Sequence, residues 1–188
     1  MCTFCVVPFT RGRERSRDPK SILNEIHLLD KKGFKEITLL GQNVDSYLWY
    51  GGGLKKDYSK ATSLQKKTSL RFNNLLEIIA QEKPKMRIRF STSNPQDMSD
   101  EVIEVISKYP NICRHIHLPV QSGSNKILKK MNRLHTREEY LVLINKIKTK
   151  IPDCSISHDI IAGFPSEDDK DHLDTLKKSI FGSLQMII

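Results

Sequence analysis

The chain has 188 residues, with 31 lysines and arginines against 22 aspartates and glutamates, for a formal net charge of +9. That length suits one sizeable core, and the positive excess favours nucleic acid or another polyanion as a partner. No apolar run approaches the roughly 18 residues a membrane span needs and no signal-peptide core opens the chain, so the expectation is a cytoplasmic protein without a membrane partner. Cysteines without a regular framework, in a chain too large to need stapling, read as reduced thiols kept for chemistry or packing.

The first feature along the chain is a CxxC, Cys2 and Cys5, followed by the basic run RGRERSR over 11–17. A CxxC alone serves zinc, redox and iron–sulfur chemistry alike. Arg11, Arg13, Arg15 and Arg17 fall at every second position. They read either as phosphate contacts or as a solvated segment partnered by Glu14 and Asp18. Asp18-Pro19 is an N-cap and first-turn signal, and Ile22, Leu23, Ile26 and Leu29 at helical spacing predict a helix over 20–32 closed by Gly33. A β-branched run predicts a strand over 36–41. Residues 47–70 hold three consecutive glycines, many hydroxyls and scattered lysines, and are expected to form a loop insertion with little structure of its own. Within it Tyr47, Trp49 and Tyr50 either stack on bases or pack the root of the loop.

The alternation then resumes. Helices are predicted over 72–81, 99–108, 125–131, 136–150 and 167–178, and strands over 86–90, 115–118 and 154–161. Strands separated by helices place the chain in the α/β class, with a parallel sheet and right-handed crossovers. Cys113 and Cys154 lie beside predicted strands and read as small buried hydrophobes. His115 and His117 share a strand face, so a zinc site completed by His158 is conceivable, with rim or core packing as the plainer reading.

In parallel sheets the functional loops follow the carboxyl ends of the strands. Here those loops are Gly41-Gln-Asn-Val-Asp45, Ser91-Thr-Ser-Asn-Pro-Gln-Asp97, Pro119-Val-Gln-Ser-Gly-Ser124 and Ala162-Gly-Phe-Pro-Ser166. All are small or polar and carry little charge. Such a rim suits a ligand with an amino-acid head, a ribose and an adenine, because neutral donors and acceptors fix orientation while glycines admit close backbone approach. A phosphate ligand is less well served, since neither a GKS loop nor a GxGxxG is present.

The stretch VVPFTRGRERSR behind the CxxC, the GQN at 41–43, RIRFSTSNPQDMS at 87–99, HIHLPVQSGS at 115–124, Met131-Asn-Arg133 and Asp159-Ile-Ile-Ala-Gly-Phe164 together resemble radical S-adenosylmethionine (SAM) enzymes. Within them the resemblance is to the tRNA methylthiotransferases of the MiaB type, and it spans roughly residues 2–176. It implies a partial (β/α) barrel of parallel strands with its first and last strands missing. Residues 1–180 would be an incomplete radical SAM core with 181–188 as a divergent tail. The family's amino-terminal auxiliary-cluster domain and carboxy-terminal RNA-binding β-barrel would lie outside this sequence.

The resemblance also implies cofactors and roles. Cys2 and Cys5 match the second and third cysteines of CxxxCxxC, whose first member would fall three residues upstream of Met1, and would hold a [4Fe–4S] cluster. Gly41, Gln42 and Asn43 would meet the amino group of S-adenosyl-L-methionine, with Ser91, Gln121, Ser122 and Gly163 as further cofactor contacts. Arg11, Arg13 and Arg15 would contact nucleic acid. The implied chemistry is reductive cleavage of SAM to a 5′-deoxyadenosyl radical and methylthiolation of C2 of isopentenyladenosine beside the tRNA anticodon, with tRNA and an electron-supplying reductant protein as partners and DNA as none. The alternatives are a catalytically inactive RNA-binding or partner-binding fragment, and the sibling activity on a ribosomal protein.

Overall fold

The computed structural model describes residues 2–91 and 93–177. The expected helix end at 178, the core boundary at 180 and the tail 181–188 lie outside the described residues. In chain order the elements are a single turn α1 (Val7–Thr10), α2 (Pro19–Lys31), β1 (Glu36–Leu40), β2 (Leu48–Trp49), α3 (Ser63–Lys67), β3 (Leu70–Arg71), α4 (Phe72–Glu82), β4 (Arg87–Ser91), α5 (Asp100–Lys108), β5 (His115–His117), α6 (Asn125–Lys130), α7 (Arg137–Lys150), β6 (Ser155–Ser157) and α8 (Asp169–Leu176).

Local chemistry sets several of these boundaries. The Asp18 carboxylate accepts from the Lys20 N–H at 3.3 Å with Pro19 as the first helical residue, so α2 starts where no backbone donor is lost. It stops at Gly33, whose φ of 86° lets the Phe34 N–H turn back onto the Leu29 carbonyl at 3.1 Å. Capping boxes open α7, from Thr136 and Glu139, and α8, from Asp168 and Asp171.

β1 pairs in parallel with β4 from Glu36↔Arg87 to Leu40↔Ser91, and β5 pairs in parallel with β6. A parallel bridge between Ile88 and Ile112 and a 3.1 Å hydrogen bond from the Ser93 N–H to the His117 carbonyl join the two pairs. The strand order is therefore β1-β4-β5-β6, an open parallel row with no closed barrel among the described residues. Period-two alternation divides its faces. Ile37, Ile88, Phe90, Ile116 and Ile156 pack against Leu76 and Ile79 of α4, Ile106 of α5 and Ile144 and Ile147 of α7. The other face is polar: Glu36 pairs with Arg89 at 2.8 Å and Arg87 at 3.2 Å, and His115 and His117 flank Ser157.

Two expectations need correction. Residues 47–70 are organised: β2 and β3 pair antiparallel, Lys55–Lys60 form 3-10 turns, and Thr62 and Gln65 build a capping box on α3. Side chains order this segment. The Tyr50 hydroxyl donates to the Leu54 carbonyl at 2.7 Å, its ring stacks edge-on with Tyr58 at 5.3 Å, and Gly51, Gly52 and Gly53 supply φ near 100° for the turn. The strand expected over 154–161 forms a regular ladder only at Ser155–Ser157, with one isolated bridge at Ile160. Beyond it the pairing offset changes from His117↔Ser157 to Gln121↔Ile160, so the β5 side carries an extra residue, and Gln121 takes φ 72° there. This is a bulge, and it falls at the rim.

Candidate functional site

The cysteine loop is docked, not free. The Thr3 N–H donates to the Met131 carbonyl at 3.1 Å and its hydroxyl to the Lys130 carbonyl at 3.1 Å, filling acceptors at the carboxyl end of α6. Phe4 packs edge-on against Phe164 with ring centroids 6.4 Å apart. Asn132, at φ 55°, ends α6 in the left-handed region and turns Arg133 inward. There the Arg133 guanidinium donates to the Pro119 carbonyl at 2.9 Å and approaches Cys2 Sγ at 3.4 Å. Cys2 and Cys5 are free thiols, both partly exposed.

These thiols open into a cavity of about 1000 Å³ that also takes in Gly41, Gln42, Asn43, Gln121, Arg133 and Asp159. The loops after β1, β4, β5 and β6 thus converge on one space with the cysteine loop. The turn after β1 is tight, since a Cβ on Gly41 would sit 3.3 Å from Val44 Cγ1. Its Asn43 amide donates to Asp97 Oδ2 at 2.6 Å, while Asn43 Oδ1 is buried without a partner among the described residues. Asp45 is buried next along, with the Ser93 hydroxyl beside its carboxyl. Burial pushes its carboxyl up to about 7, with the Ser93 hydroxyl pulling the other way and the Asp97 charge adding to the rise.

The arginine segment forms one wall. The Arg15 backbone bridges Leu54 antiparallel, the Leu48 N–H donates to Ser16 Oγ at 2.9 Å, and the Tyr47 hydroxyl donates to the Arg17 carbonyl at 2.9 Å. Tyr47 and Tyr50 therefore pack and anchor the root of 47–70. Neither carboxylate expected to neutralise the arginines does so: Glu14 takes the Ser46 hydroxyl and Lys55, and Asp18 caps α2. Arg17 pairs with Glu25. Arg11, Arg13 and Arg15 are exposed on the cavity wall without an ion pair among the described residues.

Three expected contacts are not brought to the cavity lining. Ser91 sits half-buried at the end of β4, outside it. Ser122 is fully buried, its hydroxyl meeting Thr175 Oγ1 at 3.2 Å and accepting from the Ser124 N–H at 3.1 Å, so its bonding capacity is spent internally. Gly163, at φ 73°, lies behind the rim in the loop that sets Phe164 against Phe4. The histidines form no zinc set, and no group of three or more His, Cys, Asp or Glu among the described residues is placed to hold a metal ion. His115 and His117 bond Ser157 at 3.2 and 3.1 Å, and His158 is buried just beyond β6. Sequence reasoning missed Arg133, Asp45 and Asp97. Only Arg133 carried a local signal, the Asn after a helix that turns the chain.

The sequence pattern of the Radical SAM superfamily matches residues 1–178. The chain belongs to the radical SAM superfamily. This radical SAM chain is 70% identical over 176 residues to the tRNA-2-methylthio-N(6)-dimethylallyladenosine synthase of Flavobacterium johnsoniae, covering 94% of this chain and 37% of that protein. It is 53% identical over 175 residues to the protein of the same name from Bacteroides fragilis, covering 93% of this chain and 35% of that protein. The chain thus spans a little over a third of the length of these relatives. Among solved structures it is similar in fold to the radical SAM methyltransferase TsrM of Kitasatospora setae, a structure with cobalamin and a [4Fe-4S] cluster bound. The TM-score is 0.61 at 15% identity, covering 90% of this chain and 30% of that one.

Proposed function

We propose that this chain is the SAM-binding core of a radical SAM tRNA methylthiotransferase acting on C2 of isopentenyladenosine beside the anticodon. The observation that carries the reading is that a docked pair of soft thiols and a turn with an unfilled buried acceptor open into the same cavity. Cys2 and Cys5 fit as ligands of a [4Fe–4S] cluster, being soft sulfur donors that are free, partly exposed and open to the same cavity. A bound cluster with SAM supplies one-electron cleavage of a sulfonium, and through it hydrogen removal from an unactivated carbon.

The protein's own groups do the rest. Asn43 Oδ1 offers an acceptor for an ammonium, Arg133 offers donors at the thiol side, and the Gln121 bulge sets an amide at the rim. The apolar wall formed by Ile26, Leu29 and Ile37 keeps water from the back of the cavity. Arg11, Arg13 and Arg15 suit the phosphates of an RNA loop whose base is splayed inward. The electron would come from a reductant protein, and the setting would be cytoplasmic, with no DNA or membrane partner. Among the described residues no helix is long and apolar enough to cross a membrane.

Anaerobic iron–sulfur reconstitution tests this reading. The expected result is the absorbance and spin-resonance signature of one cluster and SAM-dependent release of 5′-deoxyadenosine. A chain that takes up no cluster yet still binds tRNA in a salt-dependent way would establish a second reading, an inactive RNA-binding fragment, which the unpaired arginines also support.

A further inference from the structure

Asn43, Asp97, Lys55, Glu14 and Ser46 form a closed ring of polar contacts drawn from the turn after β1, the loop after β4, the 47–70 insertion and the arginine segment. The Asn43 Nδ2–H donates to Asp97 Oδ2 at 2.6 Å. Lys55 Nζ lies 3.6 Å from Asp97 Oδ1 and 3.8 Å from Glu14 Oε1. Glu14 faces the Ser46 hydroxyl, which lies 2.9 Å from the Asn43 carbonyl.

This ring has a directional consequence. The two ends of an asparagine amide have the same shape and differ only in what they bond. A carboxylate accepts and does not donate, so Asp97 selects the NH₂ end of Asn43 and turns Oδ1 the other way. That oxygen is the buried atom left without a partner among the described residues, on a residue that lines the cavity. Lys55 neutralises Asp97 in turn. Without it two carboxylates, Asp97 and Asp45, would face each other across this wall with less compensation.

We propose that Asp97 is a positioning residue that fixes the amide of Asn43 so that its Oδ1 presents an acceptor to the amino group of the ligand in the cavity, and that Lys55 of the insertion holds Asp97 in place. The proposal rests on the cofactor role proposed above for Asn43. It gives the insertion a task other than reading RNA: it ties the arginine segment to the ligand side of the cavity.

Two measurements on the purified chain test it. In nitrogen-15 spectra, the Asn43 side-chain amide is expected to be shifted downfield and protected from exchange. Asp97→Ala should abolish both effects, and Lys55→Met should weaken them. An Asn43 amide that resembles exposed asparagines in the unaltered chain overturns the proposal, whatever the variants do. In equilibrium binding with SAM as the probe, Asn43→Ala and Asp97→Ala are each expected to weaken binding about tenfold. The double variant should bind no more weakly than Asn43→Ala alone, because Asp97 acts through Asn43. Lys55→Met should cost about threefold, and Lys55→Arg should restore binding. Additive losses at 43 and 97, or an Asp97→Ala variant that binds normally while Asn43→Ala does not, overturn the positioning role alone. Binding unaffected by Asn43→Ala, or absent from the unaltered chain, overturns the Asn43 role and the proposal with it.

Discussion

The turn after β1 and the turn after β5 are built from similar small and amide residues, yet their polar atoms end in opposite conditions. Around the first, Asn43 Oδ1 is buried without a hydrogen-bond partner among the described residues, and the buried Asp45 carboxyl has only the Ser93 hydroxyl beside it. Around the second, Thr175 accepts the Gly123 N–H at 2.9 Å and meets Ser122, and Asp171 accepts the Ser124 hydroxyl at 2.7 Å. Lys126 completes that lock, and its hydrogen bond, with that of Ser124, holds the Asp171 carboxyl well below the usual carboxylate range. Buried polar groups are normally paired, so unfilled ones mark a surface shaped for something other than the chain itself. The β5 turn is bonded for stability, and the β1 turn has traded stability for an open acceptor.

The sharpest test of that contrast is Asp45, whose carboxyl is raised from the ordinary 3.8 to about 7 by burial. Such an acid binds more protons folded than unfolded, so its contribution to stability is greatest at low pH, falls as pH rises from about 4 to about 7, and is level above. Asp45→Asn should therefore gain on the parent by up to ~4 kcal/mol across the whole window, of which ~3 kcal/mol falls between pH 5 and pH 8, where denaturant unfolding reads it. His135 slopes the other way. Burial lowers it to about 4, so its contribution is full above about 6.5 and is lost as pH falls towards 4. The difference between variant and parent, rather than the parent curve, is thus the quantity to follow.

Thr175→Val tests the locked turn. It strands the buried Gly123 N–H and is expected to cost ~2 kcal/mol, measured as a shift in unfolding midpoint without a change in the denaturant slope. Asn43→Ala should cost less than about 1 kcal/mol of stability while weakening SAM binding. Equal stability losses at Thr175 and Asn43 would erase the distinction between the turns. The smallest expected stability effect is at the rim: Arg11→Ala with Arg13→Ala should leave stability within about 0.5 kcal/mol. The same pair should flatten the salt dependence of tRNA binding by about one unit of log–log slope per lost phosphate contact. An unchanged slope would remove the phosphate role.

Elements with strong local signals were legible from the chain. α2 is announced by Asp18-Pro19 and Gly33, α7 by Thr136 and Glu139, and the helices on the core face by apolar spacing. The 47–70 segment was not, because its order comes from Tyr50 reaching Leu54 and Tyr58 and from backbone pairing to 14–16, contacts that composition does not encode. At the site, the structure brings Cys2, Cys5, Gln42, Asn43 and Gln121 to one cavity, since loops after parallel strands share one end of the sheet. Ser122 and Gly163 share those loops and still lie off the cavity. A loop's position is fixed by topology, but the direction of each side chain depends on the partner that claims it.

The sequence by itself determined the α/β class, the positions of most helices and strands, and the radical SAM resemblance, because caps, periodicity and motif spacing act over a few residues. Tertiary structure alone decided which polar groups are spent and which are left open. Asp97 meets Asn43 from 54 residues away and Thr175 meets Gly123 from 52. Pairings at such separation exist only once the parallel strands have brought their carboxyl ends together.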